Sequence, residues 1–229
     1  MKDKHFSVKS ISRKWACLKS FVSYCVSENG LDESDLLFIP RVEIPSRLCK
    51  VIDRDSVEKI LCSIDVSTWK GLRNYVLIEL LYSTGVRVSE CVSIMWKDIC
   101  FNERRLLVYG KGGKSRYIPL TVCLNNDLLR FLNVSEMGCD KVFCTSKGKP
   151  LTRNGVYSII KGCSKGIIDV SPHSFRHAFA THLIEGDAPL RDVQLLLGHK
   201  SLISTQVYLD VSSSFLKKTY RQAHPRAIK

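Results

Sequence analysis

The chain has 229 residues, 45% hydrophobic and 25% charged, a mix that excludes a disordered or fibrous protein and suits one large domain or one domain with a small appendage. Its formal net charge of +13 and pI near 9.3 favour a polyanionic partner, nucleic acid before an acidic membrane surface. No apolar run approaches the roughly 20 residues of a membrane span, and the opening MKDKHFSVKS lacks a signal-peptide core. The expectation is therefore a cytoplasmic protein with no membrane partner. Ten cysteines occur without a Cys-x-x-Cys pair, and Cys17, Cys25, Cys62, Cys91 and Cys163 sit in apolar runs. Reduced, mostly buried thiols are expected.

From about Ser10 to Ser27, Ile11, Trp15, Leu18, Phe21, Val22 and Cys25 recur at three- and four-residue steps. That spacing predicts an amphipathic helix, ended at Gly30. The proline-bearing FIPRVEIPSRLCKVIDRDS reads as a linker. A second helix is expected in DRDSVEKILCSI, and NYVLIELLYSTG predicts a buried one stopped by Gly85. Leu106–Tyr109 and Arg116–Ile118 flank GKGGKS, a hairpin signal. After Pro119 the pattern returns to helices. The fold class expected is α+β, mostly helical with one small antiparallel sheet.

The run SPHSFRHAFATHLIEGD places His173, Arg176, His177 and His182 close together. Ser171 suits an N-cap and Pro172 the first helical position, so a helix starts here. His173 and Arg176 then share a face near a helix N-terminus, where anions are favoured. A metal site, core packing and phosphate chemistry all fit such a run. Metal is disfavoured because no His-Glu-x-x-His occurs and Arg176 would repel a cation. Arg87 follows a glycine stop, Lys111 lies in a hairpin turn, His199 sits at a helix end, and Tyr208 follows an apolar helix. Taken singly, each has an ordinary structural reading.

In order, STGVRVSE, GKGGKSRYIPL, HSFRHAFATHL, LLGHKS and TQVYL resemble the signature of the tyrosine recombinase, or phage-integrase, family. The resemblance runs from about Val42 to Arg226 and is nearest to the bacterial Xer recombinases, the tail HPRA included. It implies a site-specific DNA recombinase needing neither metal nor other cofactor. Tyr208 would be the nucleophile that forms a 3′-phosphotyrosyl link, with Arg87 and Arg176 clamping the phosphate oxygens. His173 would handle the tyrosine proton and His199 support the transition state. Lys111 would protonate the leaving 5′-oxygen, with Lys114 as the fallback. Glu90 would orient Arg87, while His177 and His182 pack. The implied partners are double-stranded DNA, a cyclic tetramer with itself or a sister recombinase on two duplexes, and a septal DNA translocase. The implied cellular role is chromosome-dimer resolution.

The resemblance also implies an N-terminal core-binding domain of several helices, of which only the last part, about Ser10 to Leu37, is recognisable. The expected division is a partial helical core-binding domain and linker over 1–44 and a catalytic domain over 45–229. The shortened clamp leaves two alternatives open, a mobile-element integrase and a degenerate DNA-binding remnant. The basic C-terminal segment is expected, by the resemblance, to dock on a neighbouring subunit.

Overall fold

A computed structural model describes residues 8–29, 51–110, 113–135, 139–198 and 219–227. The chain divides into two compact units, Met1–Cys49 and Lys50–Lys229. In the first, α1 (Val8–Asn29) is the amphipathic helix read from the sequence. Ile11, Trp15, Val22 and Cys25 on its apolar stripe are half-buried, whereas Leu18 and Phe21 are exposed. Gly30 and most of the expected linker lie outside the described residues.

The second unit is built on α3 (Trp69–Thr84), whose residues Val76 to Thr84 are all buried. A helix buried on every side must be central, and α3 packs against α2 (Arg54–Cys62), α5 (Val122–Val134), α6 (Arg153–Cys163) and α7 (Pro172–Glu185). Side-chain caps set the starts. Asp53 accepts the Ser56 N–H of α2 at 2.7 Å, and Thr68, Thr121 and Thr152 cap α3, α5 and α6 in the same way. Each such cap contributes about 1 kcal/mol. Gly85 ends α3 at φ +60, the left-handed conformation that glycine adopts without strain. It leads into the short α4 (Val88–Cys91).

A three-stranded antiparallel sheet follows: β1 (Ile99–Cys100), β2 (Arg105–Tyr109) and β3 (Ser115–Pro119), in that spatial order. Leu106 pairs with Ile118 and Val108 with Arg116. Strand alternation turns these four side chains to the buried face and leaves Tyr109 and Tyr117 exposed. Helix α7 meets α8 (Leu190–Leu197) over a second small core of Phe179, Leu183, Val193 and Leu196. Tyr220 and Ala223 of the last described segment complete that core.

Three expectations need correction. Of the five cysteines read as packed, only Cys91 is buried; Cys17 and Cys62 are exposed and the other two are half-buried. Cys139 and Cys144 are paired as a disulfide, against the expectation of reduced thiols throughout. His177 is exposed rather than packed, because α7 buries Phe175, Ala178, Phe179, His182 and Leu183, a stripe whose helical phase leaves residue 177 outside. His182 is buried as expected, its Nδ1 lying 2.8 Å from the Tyr82 hydroxyl. No helix among the described residues is long and apolar enough to cross a membrane.

Candidate active site

The site starts where α3 stops. The left-handed turn at Gly85 leaves Arg87 as the N-cap residue of α4. Glu90, three residues on, accepts the Arg87 backbone N–H at Oε2 (2.8 Å) and its Nη1 at Oε1 (2.9 Å). The same carboxylate accepts Nη1 and Nη2 of Arg116 at 3.1 and 3.0 Å, a two-pronged contact from β3. Burial works against a charge on Glu90, but hydrogen bonds to Arg116 and Arg87 and the charge of Arg116 outweigh it. The carboxyl is held below the usual carboxylate range. Glu90 is therefore an ionised hub between two guanidinium groups.

Arg176 reaches the same place from α7. Ser171 caps that helix by accepting the Ser174 N–H, and Pro172 occupies its first turn. Arg176 lies one turn further and is buried. Its Nη1 donates to the Gly85 carbonyl at 2.6 Å and its Nη2 to the Leu197 carbonyl at 2.7 Å. Arg116 Nε donates to the Leu196 carbonyl at 2.8 Å and Arg87 Nη2 to that of Gly198 at 3.3 Å. Three arginines thus serve three successive carbonyls at the C-terminal end of α8. These are carbonyls that lack partners within the helix and carry its negative pole. Burial, together with repulsion from Arg87 and Arg116, lowers the Arg176 pKa to about 10.

Of the residues expected at the site, the structure brings Arg87 and Arg176 together. Glu90 touches Arg87 as anticipated. His173 is exposed on the first turn of α7, preceding Arg176 on the same helix. Lys111, His199 and Tyr208 lie outside the described residues. Their neighbours can be placed: the Gly110 N–H donates to the Lys114 carbonyl at 2.7 Å across the hairpin mouth, and Gly198 closes α8 at φ +66. Lys114 is exposed beside that turn. Among the described residues, no cluster of three or more His, Cys, Asp or Glu is placed to hold a metal ion.

Arg116 is the participant that sequence reasoning missed. A signal was available: it alternates with Ile118 and pairs with Val108, so a charged residue stands on the apolar face of a strand.

The arrangement gathers three guanidinium groups at the end of α8 with one carboxylate, that of Glu90, between two of them, leaving an excess of positive charge. A guanidinium carries five N–H donors in a planar fork that matches phosphate oxygens. Residues 50–214 match the model of the phage integrase family. The chain belongs to that family. Among relatives, it is 38% identical over 240 residues to the tyrosine recombinase XerC of Bacillus subtilis (strain 168), covering 99% of this chain and 78% of the relative. It is 39% identical over 231 residues to the tyrosine recombinase XerD of Listeria monocytogenes serotype 4b (strain F2365), covering 96% and 78%. Among solved structures, it resembles XerH site-specific recombinase in a post-cleavage complex with a palindromic difH substrate. There the TM-score is 0.69 and the identity 25%, over 93% of this chain and 67% of that one. XerA recombinase is similar at TM-score 0.63 and 25% identity, over 98% and 79%. The mostly helical domain with a small antiparallel sheet is thus that of a tyrosine recombinase, and the Xer type is the one it resembles.

Proposed function

We propose that this phage integrase family member is an Xer-type site-specific recombinase that cuts and rejoins double-stranded DNA. The observation that carries the reading is the meeting of Arg87 and Arg176 at the end of α8, the first of them fixed by the Glu90 carboxylate. Phosphoryl transfer accumulates negative charge on the phosphate oxygens, and fixed guanidinium groups stabilise that charge more in the transition state than before it. A phosphate among them would also offset the repulsion that, after burial, depresses the Arg176 pKa.

In the proposed reaction the Tyr208 oxygen attacks the scissile phosphorus and loses its proton, with His173 as the acceptor. A bond from that oxygen to phosphorus forms and the bond from phosphorus to the 5′-oxygen breaks. Lys111 delivers a proton to the leaving 5′-oxygen, and His199 supports the charged transition state. The covalent 3′-phosphotyrosyl link keeps a phosphodiester-like bond, so the reverse attack by a 5′-hydroxyl rejoins the strand. Arg87 and Arg176 hold the non-bridging oxygens throughout. DNA as partner is supported by the net charge of +13 and by the DNA-bound structures among the similar recombinases. The proposal extends to a partial core-binding domain over 1–44 and to a cyclic tetramer with itself or a sister recombinase. It places the protein in the cytoplasm, resolving chromosome dimers beside a septal DNA translocase.

The test is a nicked suicide substrate carrying a recombinase core site, incubated with protein in EDTA and run on a denaturing gel. Wild type is expected to give a covalent protein–DNA band that Tyr208→Phe lacks. DNA binding without any adduct would instead favour a degenerate DNA-binding remnant.

A further inference from the structure

We infer that Arg116 is a positioning residue of the strand-cleavage site, an inference that rests on the recombinase reading above. One guanidinium group joins three segments that are far apart in sequence. From β3 it contacts both oxygens of Glu90, and through them the α4 start that carries Arg87. Its Nε reaches the Leu196 carbonyl, two residues before the α8 stop that leads into His199. Gly198 lies so close over it that a Cβ there would stand 3.1 Å from Arg116 Nη1. Its own strand pairs with β2. Arg87 and Arg176 are thereby tied to one another and to β3 through Arg116, Glu90 and the end of α8.

Two features point to this role. The Arg87 side chain is 43% exposed, whereas Arg116 and Arg176 are both buried. Arg176 gives its terminal nitrogens to neutral carbonyls, but Arg116 gives both of its own to the Glu90 carboxylate, which neutralises the charge a phosphate would need, and its Nε to α8. Arg116 therefore acts through Glu90 and α8 rather than by touching phosphate. A buried ion pair is also a poor stability device, since well-packed apolar residues often replace one at no cost. What an apolar residue cannot supply is a fixed direction for Glu90 and for the α8 carbonyl. Small displacements of catalytic groups cost rate steeply: a misplacement of 1 Å is worth about 100-fold.

The experiment compares wild type, Arg116→Met, Arg116→Lys, Glu90→Gln and the double variant Arg116→Met/Glu90→Gln. For each, single-turnover cleavage of the suicide substrate is measured alongside the DNA dissociation constant and a thermal melt. Arg116→Met is expected to bind DNA within about 3-fold of wild type and to cleave about 30- to 100-fold more slowly. Arg116→Lys, which keeps the charge but not the two-pronged geometry, should fall between them. The double variant should be no slower than the slower single variant, because both remove one linkage. Cleavage by Arg116→Met at the wild-type rate would overturn the inference. So would rate losses that multiply in the double variant, a loss of binding parallel to the loss of cleavage, or failure of both the Met and Lys variants to fold. Absence of any adduct with wild-type protein would instead defeat the recombinase reading itself, and this inference with it.

Discussion

On the proposed reading, Arg176 is a single side chain prepared for an anion. Both of its terminal nitrogens are committed to carbonyls, those of Gly85 and Leu197, so its orientation is set before any substrate arrives. Burial and the neighbouring charges of Arg87 and Arg116 make the protonated state less comfortable than it would be in water. Replacing Arg176 by Ala should therefore reduce the single-turnover cleavage rate by about 100- to 1,000-fold, the usual cost of one transition-state donor. The same variant should change DNA affinity far less, since a net charge of +13 leaves many other basic residues to attract a polyanion. Equal losses in rate and affinity would show that Arg176 holds DNA without favouring the transition state. At this scale the pairing of Arg87 with Glu90 was legible, because a capping residue and its third neighbour meet by local geometry. Arg116 was not, because its partners lie on α4 and α8, beyond any local pattern.

The end of α3 shows the same economy in an element. Gly85 must take a positive φ to stop the helix, its carbonyl must reach Arg176, and the Phe179 ring lies where a side chain would go. An added Cβ would stand 2.4 Å from Phe179 Cδ1. Gly85→Ala should accordingly cost about 2 kcal/mol or more, combining left-handed strain with the clash. It would appear as a lower urea midpoint at an unchanged slope. A loss of stability under a quarter of that, taken as the midpoint shift multiplied by the slope, would mean that α7 moves aside freely. The helices, the glycine stop and the hairpin could be anticipated because each is written in local periodicity and capping. The exposure of His177 was equally present in the phase of the Phe175, Ala178, Phe179, His182 and Leu183 stripe, but clustering of histidines drew attention away from phase. The half-buried and exposed cysteines lie on amphipathic helices whose apolar stripes are wider than the surface they cover.

Across the whole molecule, the last described segment is bound into the second unit by a buried polar network. Tyr220 donates to the Ser83 carbonyl at 2.6 Å, and Arg226 Nε meets Glu79 Oε1 at 2.7 Å. Burial opposes a charge on Arg226, yet the Glu79 carboxylate beside it raises its pKa. His224 packs against the rings of Tyr220, Tyr82 and Phe179 at 5.0, 5.3 and 5.5 Å. Burial pushes its pKa down from 6.5 to about 3. Above pH 6.5 this histidine is neutral folded or unfolded. Below it the unfolded chain takes a proton that the folded one refuses, so stability falls as pH drops towards about 3. The slope from this one group approaches about 1.4 kcal/mol per pH unit. Urea midpoints measured from pH 7 to pH 4.5 should decline, and less steeply in His224→Phe; identical slopes would remove His224 from this role. None of this network was legible in advance, since it joins α3 to residues near the other end of the chain.

The central claim, that this protein cleaves DNA through a tyrosine, can be tested most directly by mapping the adduct itself. Tyr82 and Tyr220 are buried with their hydroxyls engaged and their pKa values raised by burial, which leaves them unsuited to attack a phosphate. Protein trapped on a suicide substrate in EDTA should, after proteolysis, yield a DNA-linked peptide whose modified residue is Tyr208. A DNA-linked peptide modified at any other residue, or no linked peptide from protein that binds the site, would contradict the account.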